Sequence, residues 1–387
     1  MEVLFWSAIA VLIYTYGLYY GVLRILGLLH GEKRPTVRDG RYEPTVSIVI
    51  AAHNEEGRVR SRLKNLLAQH YRHERLEILF ASDGSSDGTV AAAAEFQGDG
   101  VRVIPFEQRR GKAAVLNDLV ALARGEIVVF GDARQHFAPD AVANLVRRFA
   151  DPAVGAVSGE LILRTRQSAP GEAVGSYWRY EKAVRKSESR VDSVVGATGA
   201  IYAIRRALYQ PIPPDTILDD VLIPMRIVRQ GYRVVFEPGA KAFDYVGQGD
   251  EEFIRKVRTI AGNFQLFLRE PWLLSPKSNR LWFQTVSHKG LRLLTPLCLC
   301  AMAVSAVAMG DVPLLLVQVV FYAWAAAGFL LRRIRVPVPF FGVPYVVCLL
   351  SWATVVAFAR CLNGGQAVAW EKAAKPLESG NEPLISR

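Results

Sequence analysis

Two aspartates in this chain stand where carboxylates can do chemistry. Asp83 closes the apolar run LEILFAS and Asp132 closes IVVFG. A carboxylate where a strand leaves the core can hold a divalent cation. His53, Asn54, Glu55 and Glu56 interrupt a further run, TVSIVIAA. Lys112 follows Arg109-Arg110-Gly111 and opens an apolar stretch. An ammonium group at a helix start suits a phosphate. Asp132 is followed at the second position by Arg134. That spacing reads as a metal site with one ligand replaced or as a plain strand-to-loop junction.

The elements that must position these groups can be read from periodicity. Thr45 to Ala52 is a continuous β-branched run, as a buried parallel strand requires. Val59, Leu63, Leu66 and Leu67 then recur at helical spacing. Strands are predicted over 76–81, 101–105 and 126–130, with helices over 87–96 and 111–123. Such alternation predicts an α/β, mostly parallel sheet with helices on both faces. Ligands of such sheets gather at the carboxyl ends of the strands, which collects His53, Asn54, Glu55, Asp83 and Asp132 on one rim. Structural roles stand beside chemical ones. Asp219 reads as a helix-start acid, Asp87 as a helix cap, and Glu181 as part of a solvated face paired with Arg185. Gly196 and Gly199 serve either a tight turn or a close backbone approach.

The composition narrows the class. The formal charge is +11 and 51% of residues are hydrophobic. Basic loops at a membrane and an anionic substrate both explain the charge. Nucleic acid ranks last as a partner, because no basic run is interleaved with aromatics. Cys298, Cys300, Cys348 and Cys361 lie in or beside apolar segments, without zinc spacing or a disulfide framework. Neither G-x-G-x-x-G after the first strand nor G-x-x-x-x-G-K-[ST] occurs, which weakens dehydrogenase and P-loop readings. Residues 3 to 29 carry one charge, Arg24, and are long enough to cross a bilayer. Positive charges follow that run rather than precede it, so it reads as an uncleaved anchor with the next domain in the cytoplasm. Further apolar stretches cover about 291–310, 313–331 and 337–361. Residues 271–294 mix Trp, Phe and Leu with Lys, Arg and His, as an interfacial helix does.

Taken in order, SIVIAAHNEE, SDGSSDGT, GKAAVLN, Asp132, VVGATGAIYAIRR, LDDVLIPMRIVRQGYRVVFEP and RKVRTIAGN resemble the family 2 glycosyltransferases. This is the group of hyaluronan, chitin-oligosaccharide and cellulose synthases, with a GT-A fold and flanking membrane helices. The resemblance implies that Ala51, His53, Glu55 and Asp83 hold the nucleotide, usually a uridine diphosphate. It implies that Lys112 sits by the nucleotide or its diphosphate and that Asp132 holds Mg²⁺ or Mn²⁺. It makes Asp220 the general base and Arg258 the arginine of the family's Q-x-x-R-W signature, lining the donor pyrophosphate. Direct transfer with inversion needs one base opposite the leaving group, and the departing diphosphate needs positive charge.

The chain departs from the pattern at three places. Arg134 replaces the second Asp of Asp-x-Asp and can contact the diphosphate itself. Ser82 replaces the first Asp of Asp-Asp-Gly, and Arg255 and Thr259 stand for the Gln and Trp around Arg258. The expected organisation is an anchor over 1–30, a cytoplasmic catalytic domain over 40–250, interfacial helices carrying RKVRT over 251–290, a membrane region over 291–362 and a tail over 363–387. The expected activity is inverting hexosyl or N-acetylhexosaminyl transfer from a nucleotide-sugar to a growing polysaccharide or lipid-linked saccharide. It is expected at the bilayer, in a multi-pass protein of a bacterial inner membrane. The alternatives are a single-linkage transferase acting on a polyprenyl-linked intermediate and a catalytically inactive scaffold or sensor.

Overall fold

A computed structural model describes residues 1–30, 42–164, 172–245, 249–333 and 342–363. Eight strands form one sheet: β1 Val46–Ala52, β2 Leu76–Asp83, β3 Val101–Phe106, β4 Ile127–Asp132, β5 His136–Phe137, β6 Val154–Arg164, β7 Ile201–Arg205 and β8 Arg233–Tyr245. Their spatial order is β3-β2-β1-β4-β7-β6-β8-β5. The first four run parallel, as their strand–helix alternation predicts. Beyond β4 the sheet is mixed: β7 is antiparallel to β4 and β6, β8 is parallel to β6, and β5 is antiparallel to β8.

Every residue of β1 is buried, because both faces of the sheet are covered. Alternate residues feed two separate cores. Val49, Ala51, Leu79, Val128 and Phe130 pack on the side of helices Lys112–Leu122 and Asp219–Arg229. Ile48, Ile50, Ile78, Phe80 and Val129 pack on the side of helices Glu56–Leu67 and Ala141–Arg147. Each such side chain contributes about 1.5–3 kcal/mol of burial, so the parallel half is a rigid base for the loops at its carboxyl edge.

The turn after β2 depends on a glycine. Gly84 has φ +61, and a Cβ there would meet the backbone N of Arg109 at 2.5 Å. Gly84→Ala should therefore lose on the order of 1–3 kcal/mol of stability and displace the Arg109–Gly111 loop. Thermal unfolding and nucleotide affinity, measured on the same sample, check this; unchanged values for both would contradict the close approach.

Among the described residues three helices are long and apolar enough to cross a membrane: Glu2–Leu29, Val312–Leu331 and Pro344–Leu362. The stretch expected over 291–310 forms a helix only over Thr295–Met309, 15 residues long. At 1.5 Å per residue that falls short of a hydrocarbon core of about 30 Å. It joins Trp282–Leu293 at a bend of 56°, so the pair makes at most a fourth, broken span or a re-entrant element. The helix expected over 271–294 forms over Trp282–Leu293, with a π-helical turn at Val286–Gly290, and is preceded by a separate short turn Pro271–Leu274. The link 334–341 and the tail from 364 lie outside the described residues.

Candidate active site

Register sets the rim. Ala51 pairs with Ala81 on β2 and with Asp132 on β4, so Asp132 leaves the sheet level with the end of β1. Immediately beyond β1, the His53 ring places Nδ1 2.7 Å from the backbone carbonyl of Asp83. A carbonyl only accepts, so Nδ1 carries the proton of this bond. Asn54 adopts φ 55, the left-handed region that Asn tolerates, and its Oδ1 accepts the N–H of Ser86 at 2.8 Å. Glu55 turns back to Arg58 at 2.7 Å, while its backbone N–H donates to Thr89 Oγ1 at 2.8 Å. These bonds lock the loop after β1 to the loop after β2.

Asp83 is buried, and its two carboxylate oxygens accept the backbone N–H groups of Arg110 at 2.7 Å and Gly111 at 2.9 Å. Gly111, with φ +89, is the residue before the Lys112–Leu122 helix. Asp83 therefore fixes the start of the helix that carries Lys112. The sequence assigns Asp83 to the nucleotide; the structure engages it in holding the Arg109–Gly111 loop.

Lys112 lies at the centre. Its Nζ is 3.1 Å from Asp132 Oδ1 and 3.2 Å from Asp219 Oδ2, so one ammonium bridges the end of β4 and the start of the Asp219–Arg229 helix. Burial works against the charge of Lys112, but Asp132, Asp219 and Asp220 outweigh it and hold the ammonium well above its ordinary range. Burial likewise opposes the charge of Asp132, and Lys112 with Arg134 and Arg62 overcomes it, so its carboxyl titrates below the usual value. Asp219 goes the other way. Burial, only partly offset by Lys112, together with the nearby Asp220 and Asp132 pushes it up to about 6. Of the two carboxyls on Lys112, Asp132 is therefore the stronger acid and Asp219 the weaker.

Asp220 sits one residue on, about 100° further round the helix. Its Oδ2 accepts the N–H of Gly199 at 3.0 Å, and its backbone carbonyl accepts the N–H of Ala197 at 2.7 Å. A Cβ on Gly199 would meet that Oδ2 at 2.9 Å, so this glycine serves close approach, whereas Gly196, with φ +84, serves the turn. Asp219, Asp132 and Asp220 are all charged neighbours of Arg258, on the helix Gly249–Arg269. Burial lowers the Arg258 pKa despite them.

Several placements differ from the sequence reading. Arg134 puts its Nε 3.1 Å from Asp244 of β8, which also accepts from Gln135 at 3.1 Å, so its guanidinium is held by a carboxylate that sequence spacing does not reveal. Glu181 is buried rather than solvated, and it pairs with His288 at 2.6 Å and Arg292 at 2.9 Å rather than with Arg185. Asp219 does open its helix, as read, and is in addition a buried partner of Lys112. Arg62 was not singled out. It is fully buried under the rim, stacks on the Phe137 ring at 4.1 Å, and leaves Nε and Nη2 without hydrogen bonds. Burial draws its guanidinium down to about 9, with Asp132 as the opposing influence. A lone arginine at helical spacing among apolar residues would have been the signal.

Among the described residues no group of three or more His, Cys, Asp or Glu side chains is placed to hold a metal ion. Asp132 offers one hard carboxylate, already in contact with Lys112. That donor set fits Mg²⁺ or Mn²⁺ when phosphate oxygens and water complete the shell, the usual habit of these ions with nucleotides. It does not fit an ion bound by the protein alone.

Comparison with known proteins agrees with this architecture. The poly-β-1,6-N-acetyl-D-glucosamine synthase of Staphylococcus aureus (strain MSSA476) is 25% identical over 246 residues, covering 62% of this chain and 59% of that protein. The probable glycosyltransferase YdaM of Bacillus subtilis (strain 168) is 27% identical over 219 residues, 51% of this chain and 50% of that one. The match thus spans between a half and three fifths of the length of these relatives. A mannosyltransferase from Pyrobaculum calidifontis, solved in complex with GDP-Man and Mn²⁺, superposes with a TM-score of 0.75 and 25% identity, over 94% of this chain and all of that one. Residues 47–211, which hold β1 to β7 and the rim from His53 to Asp132, match the family described as Glycosyl transferase family 2. Through that stretch, on a GT-A-like fold, the chain is similar to the family 2 glycosyltransferases.

Proposed function

We propose that this chain is a membrane-bound inverting glycosyltransferase that moves a hexosyl or N-acetylhexosaminyl unit from a nucleotide-sugar, uridine diphosphate-linked, to a growing polysaccharide or lipid-linked saccharide. The observation that carries the reading is the convergence of Lys112, Asp132, Asp219, Asp220 and Arg258 on one rim. Asp220 is the base: Gly199 holds Oδ2, and no hydrogen bond engages Oδ1 among the described residues, which leaves an oxygen to take the acceptor hydroxyl's proton as attack proceeds. Lys112 and Arg258 supply positive charge where the diphosphate leaves. Ala51, His53, Glu55 and Asp83 frame the nucleotide end, and Arg134 flanks it from its tether to Asp244. Asp132 would hold the divalent ion, which adds charge neutralisation at the diphosphate when bound. The catalytic domain faces the cytoplasm in this reading, where nucleotide-sugars are made, with helix 249–269 and the turns to 290 lying along the membrane surface.

The test is a donor screen. The purified full chain in detergent is given UDP- and GDP-linked hexoses and N-acetylhexosamines, and nucleoside diphosphate release is followed across a Mg²⁺ and Mn²⁺ titration. Release is expected from a uridine-linked donor, abolished by EDTA and restored by either ion. Release from no donor at any metal concentration would leave a scaffold or sensor as the better reading. Release unaffected by EDTA would remove the metal from Asp132.

A further inference from the structure

The Asp220 carboxylate is oriented by one peptide group. Its Oδ2 accepts the N–H of Gly199 at 3.0 Å. The Thr198 carbonyl belongs to the same planar peptide unit and accepts the N–H of Ile201 at 2.9 Å. Just before that plane, the N–H of Ala197 donates to the Asp220 carbonyl at 2.7 Å, and that of Thr198 donates to Ser158 Oγ at 3.0 Å. Ser158 is fully buried on β6. Gly196, Ala197 and Gly199 offer no polar side chain, so Thr198 is the residue whose side chain the rest of the protein can grip.

Arg185 grips it. The Arg185 Nη1 donates to Thr198 Oγ1 at 2.6 Å, and both residues are half-buried. A guanidinium only donates, so the hydroxyl accepts, and the bond is charge-assisted. Arg185 is in turn fixed along its helix, Glu172–Val191. Glu181, four residues before it, and Glu188, three residues after it, share its face. His288, on the segment Trp282–Leu293, reaches Glu181 through Nε2 at 2.6 Å and Glu188 through Nδ1 at 2.8 Å. Arg292 adds a bond to Glu181 at 2.9 Å, and Tyr19 of the N-terminal helix donates to Glu188 at 2.7 Å. Two buried anchors from membrane-side elements thus bracket Arg185 and oppose any sliding or turning of the helix that carries it.

We propose that Arg185 is a positioning residue for Asp220: through Thr198 it sets the plane of the 198–199 peptide, whose N–H aims the Asp220 carboxylate. The His288 clamp on either side of Arg185 ties that setting to the membrane-side helices. This role rests on Asp220 as the base of the proposed transfer and deepens it. A general base works when its free oxygen points at the acceptor hydroxyl, and a small misplacement of a reacting group costs rate rather than donor affinity. Arg185 touches no reacting atom in this role. Its effect passes through Thr198 and Gly199, so it vanishes where residue 220 is no longer a base.

The full chain in detergent is given UDP-glucose and UDP-N-acetylglucosamine, and uridine diphosphate release is followed at saturating donor. Arg185→Met and Thr198→Val should each slow release about ten- to a hundredfold and leave donor KM within about twofold. The double variant should be no slower than the slower single, because both remove one contact. Thr198→Ser, which keeps the hydroxyl, should restore most of the rate. Lys186→Gln, which removes an exposed charge from the same helix, should leave it unchanged. In an Asp220→Asn background, Arg185→Met should cost no further rate. Amide hydrogen exchange over residues 196–201 should quicken in Arg185→Met and Thr198→Val alike, a readout that needs no turnover. Losses that multiply in the double variant, an undiminished Arg185→Met effect on Asp220→Asn, or unchanged exchange would each overturn the positioning role. A parent that releases nothing from either donor would instead defeat the transfer reading, while hydrogen exchange would still report the hold on the turn.

Discussion

Asp220→Asn should lower sugar transfer by about 10²- to 10⁴-fold, the range that a positioned general base contributes, while nucleotide affinity stays within a few-fold of the parent. The asymmetry follows from what each oxygen does. Asn keeps an oxygen able to accept the Gly199 N–H, so the 3.0 Å contact and the turn from Gly196 to Gly199 survive. It loses the basic oxygen that would take the acceptor proton. Asp219→Asn is the informative companion. Asp219 is buried and its Oδ2 lies 3.2 Å from the Lys112 ammonium, so its carboxylate serves that ion pair rather than the acceptor. Its amide variant should reduce transfer far less than Asp220→Asn. Single-turnover transfer with saturating donor, set beside nucleotide binding, measures both. The reverse order of effects would move the base from Asp220 to Asp219.

Lys112→Met should be the most damaging substitution for the fold of the site. The ammonium is within 3.2 Å of two carboxylates, one at the end of β4 and one at the start of the Asp219–Arg229 helix. Removing one partner of a buried ionic group leaves uncompensated charge and costs about 3–5 kcal/mol, enough to lower an apparent melting temperature on the order of 10 °C. Nucleotide affinity should fall with it, because the diphosphate loses its nearest fixed cation. Combining Lys112→Met with Asp219→Asn removes one stranded charge and should recover part of the stability but none of the nucleotide affinity. A single variant that melts and binds nucleotide as the parent does would mean that the bridge contributes nothing.

Much of the donor half was legible in the sequence, for a physical reason. β1, β2 and β4 are buried on both faces, so their sequences are nearly continuous apolar runs, and each run ends where the chain turns polar. In an α/β sheet those ends share one edge. Asp83, Asp132 and Lys112 could therefore be assigned to a rim before any coordinate was known. The second half was less visible. β6, β7 and β8 mix parallel and antiparallel pairings with register shifts, which no local pattern encodes. The membrane helices were readable from apolar length, except that Thr295–Met309 is cut short by a bend that hydropathy does not record.

What the sequence by itself determined is the inventory: carboxylates at strand ends, a lysine at a helix start, and apolar segments of membrane length. Only the tertiary structure decided which charges meet. It gave Lys112 two partners 20 and 107 positions away in the chain, turned Arg134 to Asp244, and buried Glu181 against His288 and Arg292. Strand formation is governed by local burial and periodicity, which neighbouring residues share. A charge pair is governed by distance in space and by exclusion of water, and both are set by elements remote in sequence.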